Sequence, residues 1–225
     1  MIDEVLPSDV RSAEAFHDEP GTPLFPEEQA LITKAVPKRR NEFTTVRHCA
    51  RKALAELGHP PVPLLKGERG APRWPTGITG SMTHCAGYRA AAVARRTDFA
   101  SIGIDAEPAG ALPDGVLDTI ARPEELVRIR RLETTSTTVH WDRLLFSAKE
   151  SVYKAWFPLT HRWLDFDEAS IDINPVAGTF HAQLLAPAPE VPRQEFHGRW
   201  SSRNGLLITA IAHPSTPAEA AGQPA

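Results

Sequence analysis

The sequence predicts an α+β fold, and three observations carry that prediction. Two long segments, 38–57 and 139–156, repeat apolar residues at three- and four-residue spacing, the period of an amphipathic helix. Short runs rich in small apolar and β-branched residues cluster at 78–107 and again at 169–212, as strands do. Asn204-Gly205 separates the last two runs, a dipeptide that readily takes the positive φ angles of a two-residue hairpin.

Taken in order, Pro26 to Val36 reads as a short helix with Glu27 and Glu28 in its first turn, where the helix dipole favours acidic groups. Pro37 breaks the chain. From Lys38 to Leu57 the residues Phe43, Val46, Ala50, Ala53, Leu54 and Leu57 form one apolar stripe, ended by Gly58 and Pro60. A loop heavy in Pro and Gly fills 58–77. Ile78 to Thr83 and Arg89 to Arg95 read as strands joined by His84-Cys85-Ala86-Gly87, with a third strand at Ser101 to Glu107. Helices follow at Pro123 to Leu132 and Val139 to Trp156, then strands at Ala169 to Ile173, Thr179 to Leu185, Phe196 to Ser202 and Leu206 to Ala212. Each half combines helix with antiparallel strands, and the boundary falls near Arg96 to Ser101. The expected subdomains are 1–98 and 99–213, and the Pro-, Ala- and Gly-rich stretch 214–225 is expected to be a disordered tail.

With 24% charged and 41% hydrophobic residues, the 225-residue chain has the composition of a soluble globular protein. Its longest uncharged apolar stretch, Ala90 to Ala94, falls far short of the roughly 20 residues that span a bilayer. The N-terminus opens with Asp3 and Glu4 rather than a basic and then apolar signal segment. A cytoplasmic protein with no membrane partner is expected. Cys49 and Cys85 lack metal-type spacing and read as buried free thiols. A net charge of −3 argues against nucleic acid as a partner. Local basic clusters, Lys38-Arg39-Arg40, Arg47 with Arg51-Lys52, Arg95-Arg96 and Arg128 with Arg130-Arg131, suit an anionic ligand or an acidic protein.

Four features can carry chemistry. In Ile102-Gly103-Ile104-Asp105-Ala106-Glu107, strand alternation turns Ile102, Ile104 and Ala106 to a core and Asp105 with Glu107 to the other face. Such a carboxylate pair can hold a hard cation like Mg²⁺, which prefers oxygen ligands; it equally describes a solvated acidic edge. In Phe146 to Trp156, the stripe Trp141, Leu144, Leu145, Ala148, Val152 and Trp156 leaves Lys149, Glu150 and Lys154 off the core face, with Glu150 and Lys154 spaced as an i,i+4 ion pair. His84, with Ser81 and Thr83, sits at a strand end where it can reach a phosphate or take a structural hydrogen bond. Arg40, Arg47 and Arg51 line one helix face, a phosphate-binding surface or a solvated basic one.

Together these features resemble one family, the Sfp/EntD-type 4′-phosphopantetheinyl transferases, and within it the actinobacterial type. The family pattern, roughly GxDxE and then FxxKExxYK, is met at every specified position by Gly103 to Glu107 and by Phe146 to Lys154. Gly80 to Cys85 matches the family's S-x-T/S-H element, and Arg39 to Phe43 with Arg47 matches its basic helix. The resemblance spans about residues 25 to 210. One departure stands out: where many relatives carry Gly-Lys-Pro, this chain has Gly70-Ala71-Pro72, so Lys66, in preference to Arg69, is expected to supply the missing charge.

The resemblance implies two similar α+β subdomains related by a pseudo-twofold axis, with coenzyme A and Mg²⁺ (or Mn²⁺) between them. It implies transfer of phosphopantetheine from coenzyme A to a serine of acyl or peptidyl carrier proteins, releasing 3′,5′-ADP, by a monomer. Such carriers serve fatty-acid, polyketide, nonribosomal-peptide and siderophore synthesis. By the same resemblance Asp105, Glu107 and Glu150 hold the metal, Glu150 is the base, and Lys154 stabilises the pyrophosphate. Arg39, Arg40, Arg47, Lys66, Ser81, Thr83, His84, Lys149 and Lys154 are the implied coenzyme A contacts, and the segment Arg122 to Arg131 is expected to dock the carrier. Two other classes use the same groups: a metal-dependent phosphohydrolase acting on coenzyme A, and a non-catalytic module that binds coenzyme A or a carrier.

Overall fold

A computed structural model describes residues 1–19, 21–191 and 193–216. The elements are β1 (Arg11–Ala15), α1 (Pro26–Leu31), α2 (Pro37–Glu56), β2 (Ile78–Cys85), β3 (Tyr88–Arg95), β4 (Phe99–Pro108), α3 (Val116–Ile120), α4 (Pro123–Thr135), α5 (Trp141–Thr160), β5 (Ala169–Asn174), β6 (Thr179–Leu184), β7 (Glu195–Arg203) and β8 (Leu206–Pro214). The strands form two antiparallel sheets, β1-β3-β2 and β4-β8-β7-β6-β5. The α+β class expected from the sequence is the observed one.

Each sheet is backed by one 20-residue helix. Cys49, Ala50, Ala53 and Leu54 of α2 pack on Ala91 and Val93 of β3. The opposite face of β3, with Tyr88, Ala90 and Ala92, shares a core with Ile102, Ile104 and Ala106 of β4 and Ile208 of β8. The whole apolar stripe of α5, Trp141 to Trp156, is buried against Phe180, Ala182 and Phe196 of the larger sheet.

Local departures from the sequence reading have identifiable causes. Pro37 does not break the chain but starts α2, at the position where a missing N–H leaves nothing unsatisfied. His84 and Cys85 continue β2, and the turn is only Ala86-Gly87, with Gly87 at φ 77°. Strand β1 offers only Ala13 and Ala15 to the core, too weak an alternation to signal a strand, and forms by pairing with β3. Pro214, expected to begin the tail, pairs with Phe99 at the end of β8. Residues 217–225 of that expected tail lie outside the described residues. Asn204 and Gly205, both at positive φ, make the β7–β8 hairpin as their sequence suggests.

Gly103 sets how closely α5 approaches β4. A Cβ there would stand 2.0 Å from the Ser151 carbonyl oxygen and 2.7 Å from the Ala155 nitrogen. Both obstacles are helix backbone, so no rotamer change relieves them. Gly103→Ala is therefore expected to cost about 3 kcal/mol, at the upper end of overpacking changes. Urea denaturation checks this; an unchanged midpoint would show that α5 can retreat freely.

Candidate active site

The two sheets meet where β2 and β4 lie side by side, and hydroxyls at alternate positions of β2 stitch that seam. Thr79 Oγ1 donates to the Ala100 carbonyl at 3.4 Å, Ser81 Oγ accepts from the Ile104 N–H at 3.1 Å, and Thr83 Oγ1 accepts from the Ala106 N–H at 3.1 Å. Partner numbers rise together, so the strands run parallel. The Thr83 hydroxyl proton points on to Asp105 Oδ1 at 3.3 Å. Asp105 also accepts from Ser147 Oγ at 2.9 Å and from Lys154 Nζ at 2.7 Å, and Lys154 binds the Ile104 carbonyl at 3.1 Å. The Asp105 carboxylate is thus buried and oriented by two elements, β2 and α5. The hydroxyls of Ser81 and Thr83, both expected to touch coenzyme A, take part in the seam, and Ser81 also lines a neighbouring cavity.

Glu107 and Glu150 flank Asp105. Glu107 forms an ion pair with Arg143 at 3.0 Å, a partner the sequence reading missed. Burial, reinforced by the charge on Asp105, raises the Glu107 pKa, and Arg143 pulls the other way. Burial also raises the Glu150 pKa; Lys154 opposes the rise and Asp105 adds to it. The helical Glu150–Lys154 ion pair does not form, because Lys154 reaches across to Asp105. Among the described residues Glu150 makes no side-chain hydrogen bond or ion pair, so its oxygens are open to an outside ligand. The set fits a hard cation: it offers only oxygen donors, and two of its carboxylates are pushed toward protonation by burial and by Asp105. The three carboxylates are not preassembled, since Arg143 and Lys154 occupy two of them. The single His/Cys/Asp/Glu trio with mutually close ligand atoms among the described residues lies elsewhere, at His181, Glu195 and His197.

The cationic residues divide differently from the sequence expectation. Lys149 is buried away from the site, donating to the Phe166 and Ala169 carbonyls at 2.6 and 2.9 Å and pairing with buried Glu125 at 2.8 Å. Desolvation lowers its pKa, and no donor remains for a phosphate. Arg47 and Arg51 of the Arg40-Arg47-Arg51 face turn inward, while Arg40 stays at the surface. Arg51 binds the fully buried Glu28 at 2.9 Å, Arg40 holds the Ala35 and Thr33 carbonyls at 2.8 and 2.5 Å, and Arg47 Nε donates to the Leu64 carbonyl at 2.9 Å. A fully buried carboxylate at Glu28 requires such counter-charges. Burial lowers the Arg47 pKa to about 10, and its guanidinium lies over the Phe43 ring, leaving only its terminal nitrogens for an outside group. Lys66 sits 5.8 Å over the same ring.

Arg39, off that face, reaches the end of β2 and donates to His84 Nε2. Arginine cannot accept, so this His84 nitrogen is the unprotonated one; burial and the Arg39 charge lower the His84 pKa accordingly. On the other side of Glu150 and Lys154 opens a cavity of about 890 Å³, walled by Trp74 and Met82 from the smaller half and Tyr153 and Phe157 from α5. Arg69, at φ 50°, leans across its mouth to within 5.4 Å of the Trp163 ring. Cys49 and Cys85 are both free; Cys85 is only partly buried, and burial followed by the nearby Glu107 raises its pKa to about 12.

Comparison with known proteins decides the family. Residues 27–94 match the model of the 4′-phosphopantetheinyl transferase N-terminal domain, and residues 101–206 match that of the 4′-phosphopantetheinyl transferase superfamily. The chain is similar to the 4′-phosphopantetheinyl transferase Svp of Streptomyces mobaraensis, 57% identical over 94% of this chain and 89% of that protein. It belongs to the 4′-phosphopantetheinyl transferase superfamily. Npt of Nocardia iowensis is 51% identical over 95% of this chain and 100% of its own length, and PptT of Mycobacterium tuberculosis 50% identical over 94% and 97%. The protein is accordingly a transferase, of a family that uses coenzyme A and acts on carrier proteins. The relatives give no support to the phosphohydrolase or binding-module alternatives.

The expected carrier-docking segment is partly spent on the fold. Arg128 donates to the Ile171 carbonyl at 2.9 Å, Arg122 pairs with Glu124, and Ile129 is buried, which leaves Val127, Arg130 and Arg131 exposed. No helix of the described residues is long and apolar enough to cross a membrane.

A structural role for Lys149 is testable in this transferase. Lys149→Met strands the buried Glu125 without its counter-charge and is expected to cost about 3–5 kcal/mol of stability. Coenzyme A affinity of the folded fraction should hold. Unaltered denaturation with weakened coenzyme A binding would return Lys149 to the ligand site.

Proposed function

We propose that this chain transfers 4′-phosphopantetheine from coenzyme A to a serine of acyl or peptidyl carrier proteins, in the cytoplasm and as a monomer, with Mg²⁺ held by Asp105, Glu107 and Glu150. The observation that carries the reading is the juxtaposition of an open Glu150, an oriented Asp105–Lys154 pair and an apolar cavity along one cleft. Coenzyme A has matching parts. Its 3′-phosphate suits Arg39 and His84, with Arg47 and Lys66 behind them, and the pyrophosphate suits Lys154 and the carboxylates through a cation. The uncharged pantetheine arm suits the Trp74–Phe157 cavity, whose volume of about 890 Å³ lies within the range of small-molecule sites.

The serine hydroxyl of the carrier forms the new O–P bond, and the P–O bond to 3′,5′-ADP breaks. Glu150, made more basic by burial and by Asp105, takes the hydroxyl proton. Lys154, anchored by the Ile104 carbonyl, presents positive charge to the departing ADP phosphate. When bound, the cation supplies neutralisation of the pyrophosphate charge. Arg143 holds Glu107 in position before loading.

Mixing the protein with coenzyme A, Mg²⁺ and an apo carrier should add one phosphopantetheine mass to the carrier by intact-mass spectrometry, and EDTA should prevent it. Glu150→Gln keeps the size and removes the basic carboxylate, so turnover should drop about 10²–10⁴-fold. Release of free phosphopantetheine with no carrier modified, or near-normal turnover in Glu150→Gln, would overturn the reading.

A further inference from the structure

Alternate residues of β5, β6 and β7 face away from α5, because Ile171, Phe180, Ala182 and Phe196 fill the core on the helix side. On that outer face metal-ligand side chains converge. His181 and His197 stand directly opposite each other across β6 and β7, their ring centroids 5.0 Å apart. Glu195, two residues before His197 and hence on the same face, places its carboxylate between the imidazoles. Its Oε2 is 2.9 Å from His181 Nε2 and its Oε1 is 3.6 Å from His197 Nε2. All three ligand atoms fall within 4.8 Å of one another. A tetrahedral ion with ligands at about 2.0–2.1 Å spaces them about 3.4 Å apart, and the two carboxylate–imidazole distances bracket that value. Asp172 is the register partner of His181 on β5 and lines the same surface cavity, beside Arg199.

We propose that His181, Glu195 and His197 form a second metal site, separate from the catalytic carboxylates, that takes one divalent ion of the Zn²⁺ class. Two neutral imidazoles and one carboxylate suit late first-row ions such as Zn²⁺, Ni²⁺ or Cu²⁺, whereas Mg²⁺ prefers oxygen ligands and keeps its waters. Three protein ligands leave a fourth position for water or for Asp172. The bound ion clips β6 to β7 on the face opposite Glu150. Transfer does not use it.

The experiment is a Zn²⁺ titration by calorimetry on protein without a histidine tag, in a buffer with excess Mg²⁺ to occupy the catalytic carboxylates. One equivalent of Zn²⁺ is expected to bind. His181→Ala and His197→Ala should each weaken that binding at least tenfold and leave phosphopantetheinyl transfer at the wild-type rate. The side chain of His197 is 72% exposed, so His197→Ala and the milder His197→Gln retain the fold, verified by an unchanged thermal transition. Absence of Zn²⁺ binding at micromolar concentration would overturn the proposal. So would undiminished binding by the double variant His181→Ala/His197→Ala, which would assign the ion to Cys85 or the carboxylates.

Discussion

The parallel seam between β2 and β4 is the constraint on which the cleft depends. Two antiparallel sheets present edge strands to each other, and unpaired edges are costly unless their N–H and C=O groups find partners. Here side-chain hydroxyls at every second residue of β2 supply them, with Thr79, Ser81 and Thr83 reaching Ala100, Ile104 and Ala106 in turn. The period of two keeps all three on one side of the strand. The last of them also orients Asp105, so one row of small polar residues both joins the sheets and fixes the first carboxylate of the proposed metal site.

Helix α5 completes that arrangement from the opposite direction. Gly103 lets its backbone come down onto β4, and the helical repeat then turns Ser147, Glu150 and Lys154 toward the strand. Ser147 and Lys154 both hold Asp105, while Glu150 has no side-chain partner among the described residues. Burial makes that asymmetry chemically useful: an unpartnered, partly buried glutamate binds a proton more tightly than a paired one, which suits a base. The buried ion pair of Lys149 and Glu125 serves the fold, tying α5 to α4.

Much of this was legible in the sequence because it is written in local periods. The α5 stripe, the alternation of β4 and the Asn204-Gly205 hairpin follow from spacing alone, and the paired motifs pointed to the family. What spacing could not supply was the partner of each polar side chain. Lys149 and Lys154 both lie off the apolar stripe, yet one is sealed against Glu125 and the other meets Asp105. Arg39 and Arg40 are neighbours, and only the first reaches His84. The inward turn of Arg47 and Arg51 depends on a carboxylate, Glu28, that its own helix position made look like an ordinary first-turn residue. His181 and His197 are separated by a loop, and only strand register makes them opposite.

The seam hydroxyl of Thr83 is expected to position Asp105 for cation loading. The direct measurement is the Mg²⁺ concentration dependence of carrier modification for Thr83→Val and Thr83→Ser, each shown to be folded by its thermal transition. Valine keeps the shape but loses both hydrogen bonds, and serine keeps the hydroxyl. At least a tenfold higher Mg²⁺ midpoint is expected for Thr83→Val, with a near-wild-type midpoint for Thr83→Ser. Superimposable Mg²⁺ curves for all three proteins would contradict it and leave the seam as scaffold alone.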